Sequence, residues 1–152
     1  MTKDIILTIS GLHETDGDAD APIETMTPAQ YFMKNGKHYV VYDEVLDGLE
    51  GTVKSTIKFT DEMVELIRNG PASTRMVFQP GHEHMVIYQT PMGPLSISLY
   101  TEDLTMEISE EQMELKIDYS LKTEGIVVSE STVNIKICPK ELVRFDNKRY
   151  SV

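Results

Sequence analysis

From Gln112 to Lys122 the chain reads QMELKIDYSLK, and apolar and polar side chains alternate without a break. Met113, Leu115, Ile117, Tyr119 and Leu121 fall on one parity; Gln112, Glu114, Lys116, Asp118, Ser120 and Lys122 fall on the other. A period of two places the sets on opposite faces of a strand, whereas a helix, with its period of 3.6, would scatter both around its axis. The segment is therefore a half-buried strand with Met113–Leu121 facing a core. Whatever fold the chain adopts must be built to cover that face.

The same pattern recurs along the chain. Asp4 to Ser10 sets Ile5, Leu7 and Ile9 on one face, and TVKSTIKFT does so with Val53, Ser55, Ile57 and Phe59. Residues 23–34 and 37–45 flank Asn35-Gly36, a strong signal for a two-residue hairpin turn, which pairs Phe32 with Tyr39 and Tyr31 with Val40. Pro28 within the first of these strands calls for an edge, a bulge or a bend. Cross-strand packing accounts for Tyr31, Phe32, Tyr39 and Tyr42 without a ligand-stacking wall. In DEMVELIRNG two readings compete. Met63, Val64 and Ile67 fit a helical stripe capped by Asp61, while Asn69-Gly70 and the neighbouring strands favour a strand.

Ser73 to Thr101 reads as three strands joined at Pro80-Gly81-His82 and at Met92-Gly93. A three-residue loop at the first turn sets Phe78 opposite His84 and Met76 opposite Val86. A two-residue turn at the second sets Tyr88 opposite Ile97. Together they yield one apolar face: Met76, Phe78, Val86, Tyr88, Leu95, Ile97 and Leu99. A further turn at Glu102-Asp103 would place Met106 opposite Leu99, with Leu104 and Ile108 beside it. The last alternating strand keeps Val127, Val133, Ile135 and Ile137 on one face, with Ser129 and Ser131 in its middle. Residues 139–152 lose the alternation and are expected to cap or flank the domain formed by residues 1–138.

Ten or eleven evenly spaced strand candidates, with no long helix, fit a single all-β domain, an antiparallel barrel or sandwich. Closure into a barrel removes the edges that so many strands would otherwise expose. A net charge of −11 argues against nucleic acid and anionic membrane as partners. Cys138 is the only cysteine, so there is no internal disulfide; it reads as a small core residue. The unbroken apolar run at the N-terminus, Ile5 to Leu7, is too short for a signal peptide or a span, which makes the cytoplasm the expected location.

An ordered set of short motifs carries a family resemblance. It runs through Tyr42-Asp43-Glu44, Arg68-Asn69-Gly70, Phe78 followed by Gly81, YQTPMG from Tyr88 to Gly93, Asp118-Tyr119-Ser120-Leu121 before Gly125, and the strand ending at Ile137. Over residues 4–138 the chain resembles the YwiB-like bacterial proteins, grouped with the calycin-like β-barrels. The resemblance implies a calycin- or lipocalin-like barrel of eight to ten strands and carries over no catalytic residues. Lipocalins have a Gly-x-Trp signature on the first strand; this chain contains no Trp, so a lipocalin ligand is not carried over.

Barrels of this size leave room for a modest cavity. The strand registers place His84, Tyr88, Tyr119, Ser129 and Ser131 inward among aliphatic side chains, as a small-ligand site requires. The competing reading has these groups satisfied within a filled core. Asp16, Asp18 and Asp20 match the first positions of a calcium loop, but Ala21 and Thr27 break its remainder. His82 and His84 lack a third zinc ligand, so no metal or other cofactor is expected. Arg68 and Arg75 could face an anionic ligand at a barrel mouth, but they read as surface residues. The expectation is a non-enzymatic barrel binding a small amphipathic or apolar molecule. Its alternatives are a protein-interaction module with a filled interior, and an enzyme using acid–base chemistry on His84 at the barrel mouth.

Overall fold

The computed structural model describes residues 3–11, 24–44, 51–69, 73–90 and 92–140. The Asp16–Asp20 segment and residues 141–152 of the expected tail lie outside these. Ten strands form within them: β1 (Asp4–Ser10), β2 (Glu24–Lys34), β3 (Lys37–Glu44), β4 (Val53–Phe59), β5 (Val64–Arg68), β6 (Thr74–Phe78), β7 (Glu83–Thr90), β8 (Gly93–Ile108), β9 (Met113–Thr123) and β10 (Ile126–Pro139). They build one antiparallel sheet in the order β6-β5-β4-β3-β2-β1-β10-β9-β8-β7. The sheet curls into a nearly closed barrel, in which β6 and β7 meet without a hydrogen-bonded ladder between them.

The alternation read from the sequence is the alternation of burial. Met113, Leu115, Ile117 and Tyr119 are buried, and Leu121 packs against them. Ile5, Leu7 and Ile9 are buried across β1, and Val53, Ser55, Ile57 and Phe59 across β4. Asn35 and Gly36 both adopt positive φ, 53° and 76°, as a tight turn matched to strand twist requires, and Phe32 pairs Tyr39 as expected. Pro28 pairs Ile6 of β1, while the β2–β3 ladder ends at Gln30–Val41. The missing proline N–H thus falls on a side of β2 that has no ladder to join. Residues 64–68 are a strand, β5, so the helical reading of this segment is excluded.

Three registers differ from expectation. No β6–β7 hairpin ladder forms, so Phe78–His84 and Met76–Val86 are not pairs. The chain after Phe78 bonds to β8 instead: Gly81 N–H donates to the Thr101 carbonyl (2.9 Å), Thr101 N–H to the His82 carbonyl (3.2 Å), and Gln79 N–H to Thr101 Oγ1 (3.1 Å). In the β7–β8 ladder Thr90 pairs Gly93 and Tyr88 pairs Leu95, two residues from the expected register. A shift of two preserves the faces, so Val86 and Leu99 are still buried. Glu102-Asp103 is not a turn. β8 runs straight through it, with a bulge between Thr101 and Asp103 against β9. A turn and a bulge both switch the inward parity, here from Leu99 and Thr101 to Leu104 and Met106; only the neighbouring strand tells them apart.

A second bulge, between Val127 and Ser129, sets Val127 opposite Lys122 and exposes it, contrary to its expected inward position. Cys138 is half-buried and donates its thiol towards Gln112 Oε1 (3.8 Å) while Ile137 holds the inward place; it is not a core residue. At Gly11 (φ +89°) a Cβ would stand 2.1 Å from the Thr132 carbonyl oxygen, so β1 leaves the sheet at a point only glycine fits.

The two barrel ends differ. One is closed by short connections: Asn35-Gly36, residues 60–63, Gln79–His82 and Ser109–Gln112. At the other, β1, β3, β5, β7 and β9 finish, and Glu124-Gly125 turns β9 into β10.

Candidate functional site

Inward positions are not uniform along the barrel axis. Towards the short-turn end they hold Phe59, Val64, Phe78, Leu115 and Ile135, all buried and apolar. Towards the other end, on β3–β5, they become polar. Tyr42, Ser55 and Arg68 face one another across β3, β4 and β5, because Tyr42 pairs Ser55 and Ser55 pairs Arg68. Glu44 lies two residues beyond Tyr42 on the same face.

These residues form a connected group. Arg68 grips Glu44 with two parallel bonds, Nε to Oε1 (3.0 Å) and Nη2 to Oε2 (2.8 Å), and the Ser55 hydroxyl donates to Oε1 (2.9 Å). The pair is only 19% and 17% exposed, so it is screened less than a surface pair. Burial pushes the Tyr42 phenol far above its ordinary range; Glu44 adds to that, while Arg68 and Ser55 oppose it. Burial also raises Tyr88, with Arg68 again opposing. Both phenols stay protonated at neutral pH and act as hydrogen-bonding groups. The sequence signal for the cluster was alternation in β3–β5, where Ser55 and Arg68 occupy inward parity. Arg68 therefore belongs to the interior, not the surface. Arg75 is the exposed arginine, bonded to the buried Glu65 (2.9 Å).

The five residues expected to share a cavity are distributed. Tyr88 lies with the Arg68 group. His84 sits four residues earlier on β7, bonded at Nε2 to Gln79 Oε1 (3.1 Å) and stacked beside His82. Tyr119 is 3% exposed and meets Phe78 edge-on, with centroids 5.1 Å apart. Ser131 pairs Tyr119, and both border a cleft of about 420 Å³ where β1 leaves β10, beside Glu102, Asp118 and Glu130. Ser129 is half-buried opposite Leu121. Thr132 donates to Asp118 (2.6 Å), and Ser120 donates to Glu102. Among the described residues no group of three His, Cys, Asp or Glu side chains has the arrangement of a metal site. No described helix is long and apolar enough to cross a membrane.

A histidine that sequence reasoning passed over sits half-buried on the inward face of β3. His38 stacks on Phe59 (4.6 Å) and shares a hydrogen bond between its Nδ1 and the Tyr31 hydroxyl (2.7 Å). Its signal was parity, shared with the inward Val40 and Tyr42.

A family profile described as "Domain of unknown function (DUF1934)" matches residues 7–135. The chain is 27% identical over 117 residues to the "Uncharacterized beta-barrel protein YwiB" of Bacillus subtilis (strain 168), covering 77% of this chain and 80% of that protein. The crystal structure of the ywiB protein from Bacillus subtilis superposes with a TM-score of 0.76 at 25% identity, over 90% of this chain and 92% of that one.

Proposed function

The chain belongs to the DUF1934 family, whose description names no activity, and from its geometry we propose that it is a non-enzymatic, calycin-like cup for one small amphipathic molecule. The observation that carries this reading is how the inward positions divide at the barrel end where β3, β5, β7 and β9 finish. On β3–β5 and β7 the inward residues are Tyr42, Glu44, Ser55, Arg68 and Tyr88. On β8–β10 they are Leu95, Ile97, Leu121 and Ile126, of which Leu95 is 46% and Ile126 67% exposed. A ligand with a polar head and an apolar body meets a matching wall on each side. Ser129 and Ser131 add hydroxyls along the β10 wall, and His84 and Tyr119 lie deeper, against Gln79 and Phe78.

The mouth holds a ligand without transforming it. Glu44 is engaged by Arg68 and Ser55, and the two phenols are shifted away from ionisation, so neither phenol gives up its proton near neutral pH. The setting that accompanies this reading is the cytoplasm, where the single thiol stays reduced.

A fluorescent fatty-acid analogue titrated into the protein tests the proposal. Wild type binds it saturably at one site. Leu95→Glu, on the exposed lip, weakens binding about tenfold or more, the order of effect expected for a charge set against an apolar chain. Glu107→Gln, on the outer face, leaves binding unchanged. Absence of saturable binding by wild type, or undiminished binding by Leu95→Glu, rules the cup out.

A further inference from the structure

We propose that the outer face of β2 and β3 binds a planar aromatic anion, a ring carrying a phosphate as in a nucleoside monophosphate, with the ring stacked on Phe32 and the phosphate held by Lys34 and Lys37. The site uses outward positions and is independent of the cup. The chain has 25 Asp and Glu among its 152 residues, yet none falls from Thr25 to Tyr42 or from Gly51 to Thr60. These stretches supply nearly all of β2, β3 and β4, which are neighbours in the sheet. Their outward side chains include Lys34, Lys37, Lys54 and Lys58. A strongly acidic protein therefore keeps one sector in which an anion meets lysines and few carboxylates.

The stacking position comes from an unfinished row of rings. Phe32 pairs with Tyr39, and Tyr39 with Lys58. The two rings stack with centroids 5.0 Å apart and planes within 5°, and Lys58 Nζ lies 5.6 Å from the Tyr39 centroid. Both faces of Tyr39 are thus occupied, but only one face of Phe32, which is 42% exposed. The other turns towards β1, whose ladder with β2 begins at Asp4–Gln30, short of Phe32. There an open depression is lined by Lys3, Gln30, Tyr31, Phe32 and Met33. A third ring extends the stack into it, and stacking of this kind needs only a π-face.

The charge comes from a repulsive pair. Lys34 and Lys37 stand directly opposite each other across the β2–β3 ladder, where like charges destabilise. The ion pairs among the described residues engage Lys54, Arg68, Arg75 and Lys122, and neither of these two. A bound phosphate neutralises both. Lys34 lies two residues from Phe32 on the same face, about 6.6 Å along the strand at ~3.3 Å per residue, comparable to the span from base to phosphate in a nucleotide. An acidic peptide without a ring would satisfy the lysines and leave the Phe32 face bare. A long polyanion is opposed by the net charge of −11, so the ligand is small.

An NMR titration of backbone amides with adenosine monophosphate tests the site. Wild type shows saturable shifts centred on Phe32, Lys34, Lys37 and Tyr39, with dissociation at about 1 mM or tighter. Phe32→Ala weakens binding about tenfold, the loss expected for one stacking partner. The double variant Lys34→Gln, Lys37→Gln weakens it several-fold at low salt, whereas Lys116→Gln, which removes the same charge from β9, leaves it unchanged. Adenosine alone and inorganic phosphate alone each bind more weakly than the monophosphate. The proposal is overturned if the monophosphate moves no amides or moves those of another face. It is equally overturned if Phe32→Ala binds as wild type does, or if adenosine or phosphate alone binds as tightly as the monophosphate.

Discussion

His38 shows how one inward side chain couples stability to pH. Its ring lies on Phe59, its Nδ1 is hydrogen-bonded to the Tyr31 hydroxyl, and burial holds its pKa below the ordinary 6.5. The unfolded chain therefore binds more protons than the folded one between the folded pKa and 6.5. The His38 contribution is complete above pH 6.5 and is lost as pH falls through the folded pKa. An NMR titration of the His38 ring is expected to give a midpoint below 6.5; a midpoint at or above that value contradicts the assignment. His38 shares the inward parity of Val40 and Tyr42, but its partner Tyr31 lies on the adjacent strand, and only the Asn35-Gly36 turn brings the two rings together.

At the scale of elements, β9 is the strand whose faces were legible in full, because both of its neighbours, β8 and β10, pair along its length and one side packs on the core. Ile117 is fully buried, and Lys116 is exposed on the opposite face. Ile117→Ala is expected to cost about 2–5 kcal/mol, against about 0.5 kcal/mol or less for Lys116→Ala. Urea unfolding of the two variants checks this, and equal costs would invert the assigned faces. β8 was legible only in part. Its parity change at Glu102-Asp103 was visible in the sequence. That the change is a bulge follows from β9, which pairs continuously from Ser98 to Ile108.

For the whole molecule the weak line is the β6–β7 seam. β1, β9 and β10 have a ladder on each side, whereas β6 and β7 each have one. The barrel is clasped there by Thr101, fully buried, with the bonds that Gln79, Gly81 and His82 make to it. Native-state hydrogen exchange is therefore expected to protect the amides of β1, β9 and β10 most, and to release those of β6 earliest and at lower opening free energy. Equal protection across all ten strands would mean that the seam opens only with the whole barrel.

The sequence by itself determined the all-β class, most strand boundaries and the inward parity of β1, β4 and β9, because these rest on a local period that burial of one face enforces. It also contained the Asn35-Gly36 hairpin, whose backbone demand is local to two residues. The tertiary structure alone decided that Phe78 leads to β8 instead of back along β7, that Glu102 marks a bulge, and that Arg68 meets Glu44 across two intervening ladders. Each of these depends on which distant strand supplies the hydrogen-bonding partner, and a period of two is the same whichever strand that is.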